Sequence, residues 1–302
     1  MSRIHEALKK AAEERSSKLA STNGQVEFVD VGAEVNRVAV PVSDLPLPGH
    51  PGLSPAKDLS HLDYEELLKR CAHPVWKPDP RTSVFHGADT AKIGAERFRT
   101  LRSRLYQIST TQSLKKVLVT SSIPAEGKTF VAANLAHSIV RQNDRRVLLI
   151  DADLRASRLH YALGAPATPG LTDYLSGDAD EFAIVQQGLD HNLCFIPGGT
   201  LVSNPSELLL NPRMKKLLDL LTPMFDWVIL DSPPTLPVHD ASMLADICDG
   251  VLFVVRAGQT NYEIAEKAAA EFENKNLLGV VLNGVEKSDA YGSYYYGYPT
   301  PD

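Results

Sequence analysis

At 302 residues, 43% of them hydrophobic and 23% charged, the chain has an ordinary soluble composition, with room for one large α/β domain plus a tail or for two small domains. Its net charge of -6 argues against general nucleic-acid binding, which calls for a basic surface. Cys71, Cys194 and Cys248 form no Cys-x-x-Cys pair and suggest neither a disulfide framework nor a zinc site; with no apolar run of membrane-spanning length and no signal-peptide core, a reducing cytoplasm is the expected compartment.

Met1, Ile4, Leu8 and Ala11 share one helical stripe, so residues 1–18 are expected to form an amphipathic helix. Residues 19–88 lose periodicity, and eight of the twenty prolines fall between Pro41 and Pro80, which predicts a largely disordered linker. Inside it, KDLSHLDYEELLKRCAH predicts a short helix from Ser60, with Glu65 and Glu66 in its early turns and Pro74 stopping it. Such an island docks on a partner or on the main domain.

Beyond Ala91 the pattern changes. Phe98, Leu101, Leu105 and Ile108 form one helical stripe while Glu96, Arg99 and Arg102 fan across largely the other side, as in any solvated amphipathic helix. The runs KVLVTS, RVLLID, NLCFIP, DWVILD, GVLFVV and LLGVVLNGV then alternate with helical patterns, GKTFVAANLAHSIVRQ first among them. Strands that read as continuous Val, Ile and Leu are buried on both faces, so residues 89–287 predict an α/β domain with a mostly parallel, doubly wound sheet and helices on both sides. Ligands of such sheets bind beyond the carboxyl ends of the strands.

The first of those strand ends carries the strongest signal. Ser122-x-x-x-x-Gly127-Lys128-Thr129 fits the spacing of a phosphate-binding loop, with Ser122 in place of the first glycine, and this predicts binding of ATP or GTP. Gly127 allows close backbone approach, the N–H groups from Ala125 to Thr129 can point at phosphate, Lys128 adds a positive charge, and the Thr129 hydroxyl suits Mg²⁺. Two further strands end in carboxylates, at Asp151-Ala-Asp153-Leu-Arg155 and at Asp231-Ser-Pro-Pro. One carboxylate at a strand end is an ordinary helix cap. Three on one sheet edge are another matter, since like charges at about 4 Å repel by roughly 4 kcal/mol at an effective dielectric near 20, and a divalent cation relieves that repulsion. Pairing of Arg155 with one of these aspartates is the plainer alternative.

The chain ends in SDAYGSYYYGYPTPD, where Tyr291, Tyr294, Tyr295, Tyr296 and Tyr298 are half of the ten tyrosines. Residues 288–302 hold no basic side chain and have little means of packing five phenols, so they are expected to be mobile and to suit phosphate acceptance; a Gly/Tyr low-complexity tail that merely binds is the alternative.

In order and combination, Ser122 to Thr129, the apolar strand with Asp151, Asp153 and Arg155, and the apolar strand with Asp231-Ser-Pro-Pro resemble the Walker A, A′ and B motifs of the bacterial tyrosine kinases, the BY-kinase family. GLTDYLSG at 170–177, NPSELL at 204–209 and the terminal tyrosines extend the resemblance over roughly Ala91 to Asp302. It implies a P-loop NTPase fold that uses ATP and Mg²⁺ to phosphorylate the tail tyrosines, usually in trans within a homo-oligomeric ring, together with other protein tyrosines. It also implies control of capsular or extracellular polysaccharide synthesis and export. Cofactor contacts carried over are Ser122, Pro124, Ala125, Glu126, Gly127, Lys128, Thr129 and Phe130, with Asn283 at the adenine base; a turn asparagine is the alternative for the last. Lys128, Asp151, Asp153 and Asp231 form the implied catalytic set. Thr129, Asp153 and Asp231 hold the metal, and Asp151 orients or deprotonates the phenol. Glu96, Arg99 and Arg102 match an E-x2-R-x2-R pattern of subunit contacts. Ile123 stands where the partitioning ATPases carry a signature lysine, which favours the kinase branch over a nucleotide-dependent assembly switch like MinD or ParA; Ala125 replaces a common glycine. A separate membrane-embedded activator is expected to recruit the chain to the inner face of the membrane, with the amino-terminal helix as a docking element.

Overall fold

A computed structural model describes residues 63–85, 91–142, 144–188 and 190–285. The helix expected at 1–18, the linker up to residue 62 and the tail tyrosines lie outside the described residues.

Every apolar run read as a strand forms one. β1 (Lys116–Ser121), β2 (Val147–Asp151), β3 (Gln186–Gln187), β4 (Leu193–Ile196), β5 (Trp227–Asp231), β6 (Gly250–Arg256) and β7 (Leu277–Asn283) join in one sheet of order β3-β4-β2-β5-β1-β6-β7. All pairings are parallel except the two-residue β3 against β4. β3 has no apolar alternation, which is why its sequence does not announce it.

Alternation of side chains divides the sheet between two cores. Leu118, Leu148, Ile150, Val228, Leu230 and Phe253 face one side. There they pack with Leu67 of α1 (Tyr64–Arg70), residues of α5 (Leu171–Ser176), α6 (Pro205–Leu210), α7 (Pro212–Leu221) and α8 (Asp240–Ala245), and Ala265 and Ala268 of α9 (Tyr262–Ala270). Val117, Val119, Val147, Leu149, Ile229 and Val254 face the other. They meet Phe98 and Leu105 of α2 (Ala91–Ser109), Val131, Leu135 and Ile139 of α3 (Lys128–Val140), and Leu159 and Leu163 of α4 (Leu159–Leu163). The stripe expected on α2 is therefore its packing face, with Leu101 and Ile108 partly buried beside the two core residues.

The described part of the stretch read as linker docks on the main domain, as its short helix allowed, and does so beyond that helix as well. Residues 63–85 form a strap packed onto the domain: Tyr64, Leu67, Cys71 and Trp76 are all buried, and Ala72 makes an isolated parallel bridge to Gln186. α1 starts at Tyr64 rather than Ser60, because the Asp63 side chain caps it by accepting from the Glu66 N–H at 2.8 Å. Tyr64 meets Phe225 edge-on, with ring centroids 5.5 Å apart, and Trp76 meets Phe195 in the same way at 5.9 Å. Farther along, Asn134 of α3 accepts from the Val84 N–H and donates to the Thr82 carbonyl, both at 2.9 Å. Prolines forbid a helix through this stretch but permit an extended chain whose backbone finds partners elsewhere.

Candidate nucleotide and metal site

Between the end of β1 and the first turn of α3, residues 122–127 form a tight loop. Gly127 adopts φ +95, and a Cβ added there would lie 2.0 Å from Asn283 Nδ2, so this position admits glycine alone. Ala125 also has a left-handed backbone, φ +66, at a strain of about 1–3 kcal/mol for a residue with a side chain. Pro124 and Ala125 form the exposed tip, Ser122 and Glu126 are buried, and Lys128, Thr129 and Phe130 open α3. The unsatisfied N–H groups and positive end of a helix start make such a turn an anion receiver.

Strand register brings the carboxylates to it. Asp231 pairs with Asp151 of β2 on one side and with Val119 of β1 on the other, and both aspartates are fully buried. Lys128 Nζ stands 2.8 Å from Asp153 Oδ2, and the Thr129 hydroxyl donates to Asp231 Oδ2 at 2.6 Å. Asp231 Oδ1 and the Ser122 hydroxyl are buried and find no hydrogen-bond partner among the described residues. Burial pushes Asp231 up to about 7 against the opposing pull of Lys128, and burial likewise lifts Asp151 to about 6 against its hydrogen bonds from Ser157 and Leu159. Burial pulls Lys128 down, but the charges of Asp231 and Asp153 outweigh it and leave the ammonium above its usual value. Four expected residues, Lys128, Thr129, Asp153 and Asp231, thus meet in one cluster.

Asp151 sits differently. Its Oδ2 accepts from Ser157 Oγ at 2.7 Å and from the N–H groups of Arg158 and Leu159 at 3.1 and 3.0 Å, while Oδ1 accepts from the Asp153 N–H at 3.2 Å. The carboxylate folds the loop that carries Asp153. Arg155 does not pair with the site aspartates: its Nε donates to Asp240 Oδ2 at 2.8 Å, and its Nη2 reaches Ser206 Oγ at 2.6 Å. Ser206 in turn donates to Asp240 at 2.6 Å, so α6, α8 and the Asp153 loop are tied at one buried acid. Glu126, expected among the cofactor contacts, is buried with its carboxylate turned onto protein donors. Asn283 donates through Nδ2 to the Glu126 carbonyl at 2.9 Å, and with Phe130, Gly284, Leu101 and Arg97 it lines a cavity of about 420 Å³.

On α2, Glu96 and Arg99 form an exposed ion pair, whereas Arg102 donates to the Ser138 carbonyl of α3 and so braces two helices. Ser206, Asp240, Arg256 and Thr260 escape a reading of the sequence. Their one signal is position, since Arg256 and Thr260 lie at and just beyond the carboxyl end of β6 and Ser206 lies in the matched NPSELL stretch.

Residues 117–298 match the family model of the CobQ/CobB/MinD/ParA nucleotide-binding domain. The chain is 37% identical to tyrosine-protein kinase YwqD of Bacillus subtilis (strain 168), over 71% of its own length and 91% of that protein. EpsB of Ralstonia nicotianae is also 37% identical, over 67% of this chain but 27% of the longer relative. The kinase domain of Escherichia coli tyrosine kinase ETK superposes with a TM-score of 0.62 at 33% identity, covering 70% of this chain and 83% of that one.

Proposed function

Given that this chain belongs to the bacterial tyrosine-protein kinases, within the CobQ/CobB/MinD/ParA nucleotide-binding family, we propose that it transfers the γ-phosphoryl group of Mg-ATP to tyrosines of its own tail. The observation that carries this reading is the meeting of Lys128, Thr129, Asp153 and Asp231 beside the phosphate loop.

Loop N–H groups and the Lys128 ammonium bind the triphosphate, and the cavity beside Phe130 and Asn283 takes the base, for which it has ample room. The partnerless Asp231 Oδ1 and the Thr129 hydroxyl are hard oxygen donors suited to Mg²⁺, which commonly takes one or two protein oxygens and completes its shell with phosphate and water. Among the described residues no three His, Cys, Asp or Glu side chains form a metal cage of their own. Bound there, the ion neutralises charge on the phosphates. As Lys128 turns to the phosphates it releases Asp153 Oδ2, which then orients the phenol and receives its proton; the bond from phosphorus to the β,γ-bridging oxygen breaks, the bond to the phenolic oxygen forms, and ADP leaves. Asp153 thereby takes the part expected of Asp151, which instead holds the loop in shape. Alignment and charge neutralisation are most of what phosphoryl transfer needs.

The proposal extends to Tyr291, Tyr294, Tyr295, Tyr296 and Tyr298 as acceptors and to homo-oligomeric assembly through Glu96 and Arg99. It further extends to polysaccharide synthesis and export at the inner face of the membrane, where a membrane-embedded partner recruits the chain. Among the described residues no helix is long and apolar enough to cross a membrane.

Purified protein incubated with Mg-ATP should gain phosphotyrosine mapped by mass spectrometry to the tail, and Lys128→Met should abolish it. Nucleotide hydrolysis with no phosphotyrosine would overturn the transfer reading in favour of an assembly switch.

A further inference from the structure

A carboxylate inside an anion-binding loop is out of place unless its charge is engaged elsewhere, and Glu126 is such a residue, 2% exposed in the middle of the phosphate loop. Its Oε2 accepts the Ile123 N–H at 2.8 Å. Its Oε1 accepts the Thr260 hydroxyl and, at 3.4 Å, the Arg256 N–H. The neighbouring carbonyls are held by the same region: Arg256 Nη1 donates to the Ala125 carbonyl at 3.2 Å and Asn283 Nδ2 to the Glu126 carbonyl at 2.9 Å. Thr260 is itself buried at 4% and is fixed by its own N–H to the Arg256 carbonyl at 3.1 Å. All of these anchors outside the loop come from the carboxyl ends of β6 and β7 and the turn that follows β6.

We propose that Glu126 and Thr260 are positioning residues for phosphoryl transfer, forming a buried brace that holds the phosphate loop in its anion-receiving shape before nucleotide arrives. The brace draws the Ile123 N–H inward and absorbs the carboxylate's charge in protein donors, leaving the N–H groups at the start of α3 for phosphate. It also accounts for a loop that keeps a left-handed Ala125, since anchors on the Ala125 and Glu126 carbonyls fix a strained backbone that an unbraced loop would relax. The inference deepens the nucleotide reading of the same loop and rests on it.

The test uses the full chain, with KM for ATP and kcat measured by tail phosphorylation and thermal melting run in parallel. Thr260→Val is isosteric and removes only the hydroxyl. It should raise KM by about tenfold, more than it changes kcat, as expected for loss of one buried hydrogen bond to a charged group. Thr260→Ser, which restores the hydroxyl, should return KM to the wild-type value. Glu126→Gln should act in the same direction, and Glu126→Gln with Thr260→Val should be no worse than Glu126→Gln alone, because both cut one connection. A wild-type KM in Thr260→Val, or effects of the two substitutions that simply multiply, overturns the brace while leaving nucleotide binding in place. Absence of ATP binding by the unaltered chain overturns the nucleotide reading and the brace together.

Discussion

Single positions carry sharply different demands. Gly127 needs its missing side chain twice, for a φ of +95 and for the contact with Asn283, so Gly127→Ala should weaken ATP binding by at least tenfold in calorimetry with a modest loss of thermal stability. Asp231 is held toward its protonated form by burial. Its folded value near 7 lies above the ordinary carboxylate value, so the protonated form favours the fold; that contribution is present below the ordinary carboxylate range and is lost as pH rises through about 7. Melting of nucleotide-free protein against pH should therefore fall more steeply between pH 5 and 7 in the wild type than in Asp231→Asn. Mg²⁺ competes with that proton, so its binding should tighten as pH rises across the same interval, with fewer protons released on binding at the upper end. Asp153 and Asp151 should separate in kinetics: Asp153→Asn keeps Mg-ATP binding and loses transfer, while Asp151→Asn lowers thermal stability as well, because an amide has one acceptor oxygen for the donors now shared by two and turns an NH2 group against the Asp153 N–H or against the donors at Oδ2. Lys128 and Thr129 are legible through the spacing of the phosphate loop, and the three aspartates because each lies at or just beyond the end of an apolar run. The partner of Arg155 is not, since Asp240 is 85 residues away and only the fold brings it near. The partners of the Glu126 carboxylate are equally hidden, since its place in the loop speaks only for its backbone and Thr260 is 134 residues away.

Among the elements, every strand but β3, helix α2 and helix α3 follow from apolar runs and periodicity, whereas of the strap over residues 63–85 only the helix does. Composition averages over a window, and a window rich in proline reads as linker even when two aromatics within it are core residues. Tyr64 and Trp76 are those residues, one in each of the two cores. Trp76→Ala should cost about 3–5 kcal/mol by leaving a cavity against Phe195, seen as a lowered midpoint in chemical denaturation. An outcome below 1 kcal/mol would mean that the strap rests on the domain without belonging to its core. β3 escapes for a different reason, its two glutamines lacking any alternation to betray a strand. The clamp of Arg155, Ser206 and Asp240 likewise joins short elements that no local pattern could have brought together.

For the molecule as a whole, the sheet order sets the site. β1 lies between β5 and β6, so the phosphate loop, Asp231 and the Arg256–Thr260 turn gather at one edge from three neighbouring strands, and Asp151 joins them across β5. A chain starting at Asp63 should melt cooperatively well above one starting after Phe85, the difference reporting how much the strap adds to the domain. The strap also fixes where the upstream sequence takes hold. Because it engages the hydrophobic layers above and below the sheet, a pull on the backbone at Asp63 loads a clasp gripping both sides of the protein instead of peeling a loose end. The domain would then turn and travel with that entry point as a unit.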